Sequence, residues 1–81
     1  MAVYKIYSVQ DVLIGFNAPF IMINDDIAKR EYRNMLETNP NRADMRLFRL
    51  ASFDDETGMV TPEITPVLVE GGANGSNKDS V

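Results

Sequence analysis

The chain begins with a pattern of apolar and polar positions that is typical of β-structure. Residues 3–9 (VYKIYSV) are rich in β-branched and aromatic side chains and predict a first strand. Residues 12–17, which include Gly15, predict a hairpin connection. The apolar run 20–23 follows Pro19 and predicts a second strand, because proline is tolerated where a strand begins.

An amphipathic helix is predicted next. Asn24 is a good N-cap, and the acidic residues 25–26 follow it where the helix dipole favours anions. Asn39 precedes Pro40, and a residue in that position avoids the α-conformation, so the helix ends there. Positions i, i+4, i+7 and i+8 place four apolar residues on one helical face: Ala28, Tyr32, Met35 and Leu36.

The remaining pattern predicts more strands. Residues 45–53 form a third strand, residues 54–58 a turn ending in Gly58, and residues 59–61 a returning strand that stops at Pro62. A short edge strand is predicted within residues 64–69. The order ββαββ indicates an α+β fold: a small antiparallel sheet of four to five strands with one central helix. We expect one domain over residues 1–70 and a disordered polar tail over residues 71–81.

The predicted strands carry apolar residues on both faces. Residues 4 and 6 alternate with residues 3, 7 and 9, and residues 20 and 22 alternate with 21 and 23. One helix covers only one face of a sheet, so the other face needs a cover. A homodimer formed through the sheet is the simplest hypothesis.

The amino-acid composition limits the kinds of catalytic and metal site that the chain can form. The 81 residues include no cysteine, which removes a cysteine nucleophile and a thiolate zinc site, and no histidine, which removes the commonest general base and the commonest metal ligand. We therefore predict a protein that is not an enzyme and has no cofactor and no metal. The acidic segment 54–56 resembles part of a calcium loop, but a solvated hairpin turn is favoured. The apolar runs are too short to span a membrane, and the N-terminus lacks the pattern of a signal peptide, which indicates an intracellular protein.

Charge is divided unevenly along the chain. The net charge is −4, yet residues 29–49 hold six basic and three acidic residues, a net charge of +3. This distribution predicts a local site for single-stranded nucleic acid, in which basic residues contact phosphates and aromatic residues stack on bases. The candidate residues are Lys5, Tyr7, Arg30, Arg33, Arg46, Phe48 and Arg49. Two simpler interpretations stay open: the aromatic residues form the core, and the basic residues form a solvated helix face.

The order of these segments resembles a known family. The first strand (residues 3–11), Ala18-Pro19-Phe20, the helix start (residues 24–32) and Asn39-Pro40 occur in sequence. The most specific segment is residues 44–58 (DMRLFRLASFDDETG), which is similar to the pattern D-aromatic-x-L-aromatic-x-L-G-x-F-D-x-x-T-G. Met45 and Ala51 depart from that pattern, and the link between Pro40 and Asp44 is short. The chain thus resembles the small nonstructural protein of gokushovirus-type microviruses, which are single-stranded DNA bacteriophages.

The resemblance implies a function in the viral DNA cycle. It implies a nonstructural protein in the cytoplasm of the bacterial host that assists synthesis or packaging of the single-stranded DNA genome. Together with the basic segment, this favours binding of single-stranded DNA. The alternative is a protein-protein interaction module that docks onto a phage replication initiator, a host replication factor or the procapsid. A single-stranded DNA-binding β-barrel is disfavoured by the central helix.

Overall fold

The computed structural model describes residues 2–71. Its strands are β1 (Val3–Asp11), β2 (Gly15–Phe16), β3 (Phe20–Met22), β4 (Met45–Asp54) and β5 (Val60–Gly71). Helix α1 (Asp25–Leu36) lies between β3 and β4, and a short 3-10 turn (Arg42–Asp44) precedes β4. The strands form one antiparallel sheet in the order β2-β1-β4-β5, and β3 pairs with β1 beside β2. The predicted α+β class, with five strands and one helix, is confirmed.

The end of the sheet differs from the prediction. The chain does not stop at Pro62 and begin again: residues 60–71 form a single strand. Its register against β4 shifts twice, between Leu47 and Phe48 and between Arg49 and Ala51. Those irregularities, and a position at the edge of the described sheet, let β5 contain prolines that a regular central strand would exclude. The predicted polar tail overlaps this strand at Gly71, and its other residues, 72–81, lie outside the described part of the chain.

Helix α1 begins as predicted. The Asn24 side chain accepts a hydrogen bond from the backbone N–H of Ile27 at 2.9 Å, which satisfies one of the free N–H groups of the first turn. Ala28 and Tyr32 are buried and Leu36 is half-buried. Met35 was predicted for the same face, but about half of its surface is exposed. The buried face of the helix is therefore narrower than the face predicted from the apolar spacing.

The helix covers one face of the sheet, and the core lies between them. Apolar side chains of β1, β4 and α1 form the core cluster: Tyr7, Val9, Met45, Leu47, Ala28 and Tyr32. Phe20, Met22, Leu36 and Val69 pack around it. Tyr32 also donates a hydrogen bond from its hydroxyl to the carbonyl oxygen of Met45 at 2.9 Å, which fixes the helix against the start of β4.

The opposite face of the sheet, here called the open face, is not covered by α1. Directly paired residues of antiparallel strands share a face, so the register defines rows across the sheet. The rows are Tyr4 with Phe53 and Val60, Ile6 with Ala51 and Ile21, Ser8 with Phe48 and Leu68, and Gln10 with Arg46 and Phe16. Most of these side chains are apolar. In residues 2–71, no helix is long and apolar enough to cross a membrane.

Candidate functional site

The structure separates the seven residues predicted to bind nucleic acid into three places. Lys5, Tyr7 and Arg49 lie on the helix-covered side of the sheet, near the N-terminus of α1. Arg30 and Arg33 lie on the exposed surface of α1. Phe48 and Arg46 lie on the open face. The strand and helix arginines therefore do not converge on one surface.

Arg49 belongs to a network of ion pairs on the helix-covered side. Its guanidinium donates one hydrogen bond to Asp25 and one to Glu63, each at 2.8 Å. Only 23% of the Arg49 side chain is exposed. Lys5 lies beside this network and lines a cavity of about 360 Å³ with Arg49 and residues 24–26. Two carboxylates neutralise Arg49 and most of its side chain is covered, so it presents little surface to a phosphate.

Tyr7 is fully buried, and this overturns its predicted role as a base-stacking residue. Its ring stacks on Phe20, with centroids 5.8 Å apart, and its hydroxyl donates to Asp25 at 2.6 Å. The alternative interpretation of a core aromatic residue is the correct one for Tyr7. No face of this ring is left for a base.

The same network changes the acidity of its members. Burial, and then the hydrogen bond to Asp25, raise the pKa of the Tyr7 hydroxyl far above its ordinary value. Burial alone would raise the pKa of the Asp25 carboxyl, but hydrogen bonds from Tyr7 and Arg49 outweigh it and hold that pKa below the ordinary value. Asp25 is therefore an ionised acceptor at neutral pH.

A different cavity brings arginine side chains together. It has a volume of about 380 Å³ and lies beside the C-terminal half of α1, between the helix, the 3-10 turn and the end of β5. We call it the arginine groove, because guanidinium groups of α1 and of the 3-10 turn both line it. Its lining residues are Tyr32, Arg33, Asn34, Leu36, Glu37, Arg42 and Glu70.

Arg33 is held in place within the arginine groove by Glu70. Its Nε and Nη2 donate to the two carboxylate oxygens at 2.7 and 2.6 Å, in a bidentate pair. These bonds raise the pKa of Arg33. The side chain is still 65% exposed. Arg30 lies one helical turn before Arg33. Within residues 2–71, neither Arg30 nor Arg42 forms an ion pair.

Aromatic side chains form two pairs on the open face. Phe16 and Phe48 have ring centroids 5.5 Å apart, and Tyr4 and Phe53 have centroids 6.4 Å apart. Phe48 is thus partly exposed next to another ring, as a stacking residue would be. Arg46 lies on this face as well, two residues along β4. The rest of the face is mostly aliphatic.

The carboxylates of the acidic turn between β4 and β5 accept hydrogen bonds from nearby backbone N–H groups. Asp54 accepts hydrogen bonds from the backbone N–H groups of Glu56 and Thr57, and Asp55 accepts one from the N–H of Ala2. These contacts are those of a structured hairpin turn. Over the described range, no group of three or more acidic residues is arranged to hold a metal ion.

Arg42 and Glu70, two charged residues that line the arginine groove with Arg33, were absent from the predicted site. Arg42 was counted in the basic segment, but nothing in its spacing connects it with Arg33. Glu70 lies 37 residues after Arg33. Glu70 reaches Arg33 only because β5 pairs with β4, and no local sequence signal predicts that pairing.

The fold is that of a small α+β protein with one antiparallel sheet and one helix, and two arginine side chains line the arginine groove. A family model, described as Phage ORF5 protein, matches residues 4–75. Because this match covers most of the chain, the chain belongs to the Phage ORF5 protein family and is a bacteriophage protein. No curated protein and no solved structure gives a significant match to it.

Proposed function

We propose that this phage protein binds single-stranded DNA in the arginine groove and so assists synthesis or packaging of a single-stranded viral genome. The proposal places it with the nonstructural proteins of gokushovirus-type microviruses, in the cytoplasm of the host bacterium. It acts by binding and not by catalysis. The observation that supports this function best is the meeting of Arg33 and Arg42 at one cavity, with Arg30 on the adjacent turn.

The arginine groove has donors available for phosphate. A guanidinium has five N–H donors, and the pair with Glu70 uses two of those on Arg33. The remaining three, and the whole guanidinium of Arg42, have no side-chain acceptor within residues 2–71. They can donate to phosphate oxygens, which guanidinium groups bind well. Tyr32 and Leu36 add apolar surface to the wall. Glu37 and Glu70 oppose a polyanion, so we expect modest affinity with a strong dependence on salt.

Fluorescence anisotropy with a labelled oligonucleotide tests the proposal. We expect the full chain to bind single-stranded DNA more tightly than double-stranded DNA, with affinity that falls as salt rises. Arg33→Ala combined with Arg42→Ala should reduce affinity by about tenfold or more, whatever the base sequence.

The matched control compares single variants of equal charge. Lys5→Ala and Arg42→Ala each remove one positive charge, but Lys5 lies away from the arginine groove, next to Asp25. We expect Arg42→Ala to lose affinity and Lys5→Ala to stay close to the wild-type chain. Equal losses in both variants would show a diffuse charge effect and remove the assignment of the groove.

Docking onto another protein is a second candidate function, and the loop between β1 and β2 favours it. Leu13 and Ile14 are 79% and 86% exposed at its tip. Asp11 holds the loop in shape, because its side chain accepts from the N–H of Leu13 and its carbonyl accepts from the N–H of Ile14. An ordered loop that presents aliphatic side chains is typical of a protein contact.

The partner in this second function is a phage replication initiator, a host replication factor or the procapsid. A pull-down from infected cells that survives nuclease treatment, and that is lost when Leu13→Ser and Ile14→Ser are combined, would favour docking over DNA binding.

A further inference from the structure

The open face is an apolar surface that α1 leaves uncovered. Three of its four rows are apolar except for Ser8, which is buried. Ile21, Val60 and Leu68 are each about half exposed. Ile21 belongs to β3 and the other two to β5, and the three lie in three different rows. An apolar patch that spans the whole sheet is typical of a surface that another molecule covers.

The size of this face fits a protein interface. A ten-residue strand such as β4 is about 33 Å long, and four adjacent strands are about 15–19 Å wide. The flat footprint is therefore about 500–600 Å², and projecting side chains increase the accessible area toward the roughly 800 Å² that each partner contributes to a standard interface. The face is large enough for a stable dimer.

Charge along β4 specifies the occupant and its orientation. Arg46 lies on the open face at one end of the strand, and the acidic turn with Asp55 and Glu56 follows its other end. When two copies stack face to face with their β4 strands antiparallel, the arginine of each copy meets the acidic turn of the other. A parallel arrangement would place like charges together. The open face is thus complementary to itself under a two-fold axis.

We propose that a second copy of this chain covers the open face and forms an antiparallel two-fold dimer in which Arg46 pairs with the acidic turn of the other copy. Aligned packing of two sheets buries the aliphatic rows between them. The two arginine grooves remain on the outer, helix-covered sides. The dimer stands on the open face alone and does not depend on DNA binding.

Sedimentation equilibrium of the full chain over micromolar concentrations tests the dimer. We expect a dimer for the wild-type chain and a folded monomer for Leu68→Asp, because a charge at a half-exposed position is tolerated in the monomer and not in a dry interface. Ile21→Asp serves the same purpose on the opposite edge of the sheet. A wild-type chain that remains monomeric, or a folded Leu68→Asp chain that still dimerises as the wild type does, overturns the proposal.

A charge exchange tests the orientation. Arg46→Glu should weaken dimerisation by about tenfold or more, and adding Glu56→Arg should restore it. Arg30→Glu is the matched control, because it makes the same charge change on the exposed surface of α1, away from the open face. Absence of rescue, or equal weakening by Arg30→Glu, rejects the antiparallel arrangement. A monomeric wild-type chain whose affinity for single-stranded DNA falls with Leu68→Asp would instead assign the open face to DNA.

Discussion

Arg49 donates a hydrogen bond to Asp25 across 2.8 Å and so ties the middle of β4 to the first turn of α1. The same guanidinium donates to Glu63 on β5. Because Asp25 also accepts the hydroxyl of buried Tyr7, one acidic side chain links the core, the helix and the sheet. This network uses a residue that the sequence pattern had assigned to DNA.

The first prediction concerns the stability that this network supplies. Arg49→Met keeps an apolar stem but leaves two partly buried carboxylates without their donor. We expect the free energy of unfolding to fall by about 1–3 kcal/mol, the cost of unpaired polar groups in such positions. Urea denaturation measures it. Arg30→Met is the control, since Arg30 is exposed on α1 and takes no part in the ion pairs of residues 2–71, and a similar loss in both variants would contradict a special role for Arg49.

The second prediction follows from the lowered pKa of Asp25. A carboxyl whose pKa is lower in the folded state than in the unfolded state stabilises the protein above the unfolded value, and this stability is lost as pH falls through the folded value. The difference in unfolding free energy between wild type and Asp25→Asn should therefore be constant near neutral pH and shrink below about pH 4.

Denaturation at several acidic pH values measures this difference. Asp26→Asn is the control, because Asp26 is exposed beside Asp25 and takes no part in the network of Arg49 and Tyr7. If the difference between wild type and Asp25→Asn grew as the pH fell, the assigned direction of the pKa shift would be wrong.

Local signals predicted most of the fold. The helix was correct because capping by Asn24 and the apolar spacing of Ala28 and Tyr32 act over a few residues. The strands β1 and β4 were correct because their side chains alternate along the chain. The break at Pro62 was wrong, because an edge strand with register shifts accommodates proline, and that edge position is a property of the whole sheet.

The candidate site was less predictable for the same physical reason. Tyr7 and Arg49 look like binding residues in the sequence, but contacts with Asp25 and Glu63 turn them into parts of the scaffold. Arg33 meets Glu70 only after β5 returns alongside β4. The strand order of the sheet brings these residues together although they are far apart in the sequence. Spacing along the chain cannot predict such pairs.

The third prediction concerns Gly71 at the end of β5. Its φ of 101° is strained for any residue with a Cβ, and an added Cβ would overlap the Tyr32 hydroxyl and approach the Met45 carbonyl oxygen to 2.7 Å. Gly71→Ala should therefore displace Tyr32 from its hydrogen bond and cost about 2–4 kcal/mol.

Gly58→Ala separates the backbone cost from the steric one. Gly58 has a φ of 77°, but nothing lies within 4 Å of its added Cβ. We expect it to lose only about 1–2 kcal/mol, the cost of the left-handed conformation. Thermal or urea unfolding measures both variants, and equal losses would show that Tyr32 does not depend on the space at Gly71.

The last prediction tests the arginine groove by improving it. Glu70→Gln removes a carboxylate that binds Arg33 and repels phosphate. Because the arginine is largely exposed, the pair contributes little to stability, and the variant should stay folded. Affinity for single-stranded DNA should rise by about threefold to tenfold, and its dependence on salt should become steeper as Arg33 engages phosphate.

Glu63→Gln is the control, since it makes the same change in the ion pair with Arg49, outside the groove. An unchanged affinity in Glu70→Gln, or an equal gain in Glu63→Gln, would show that Arg33 does not contact DNA.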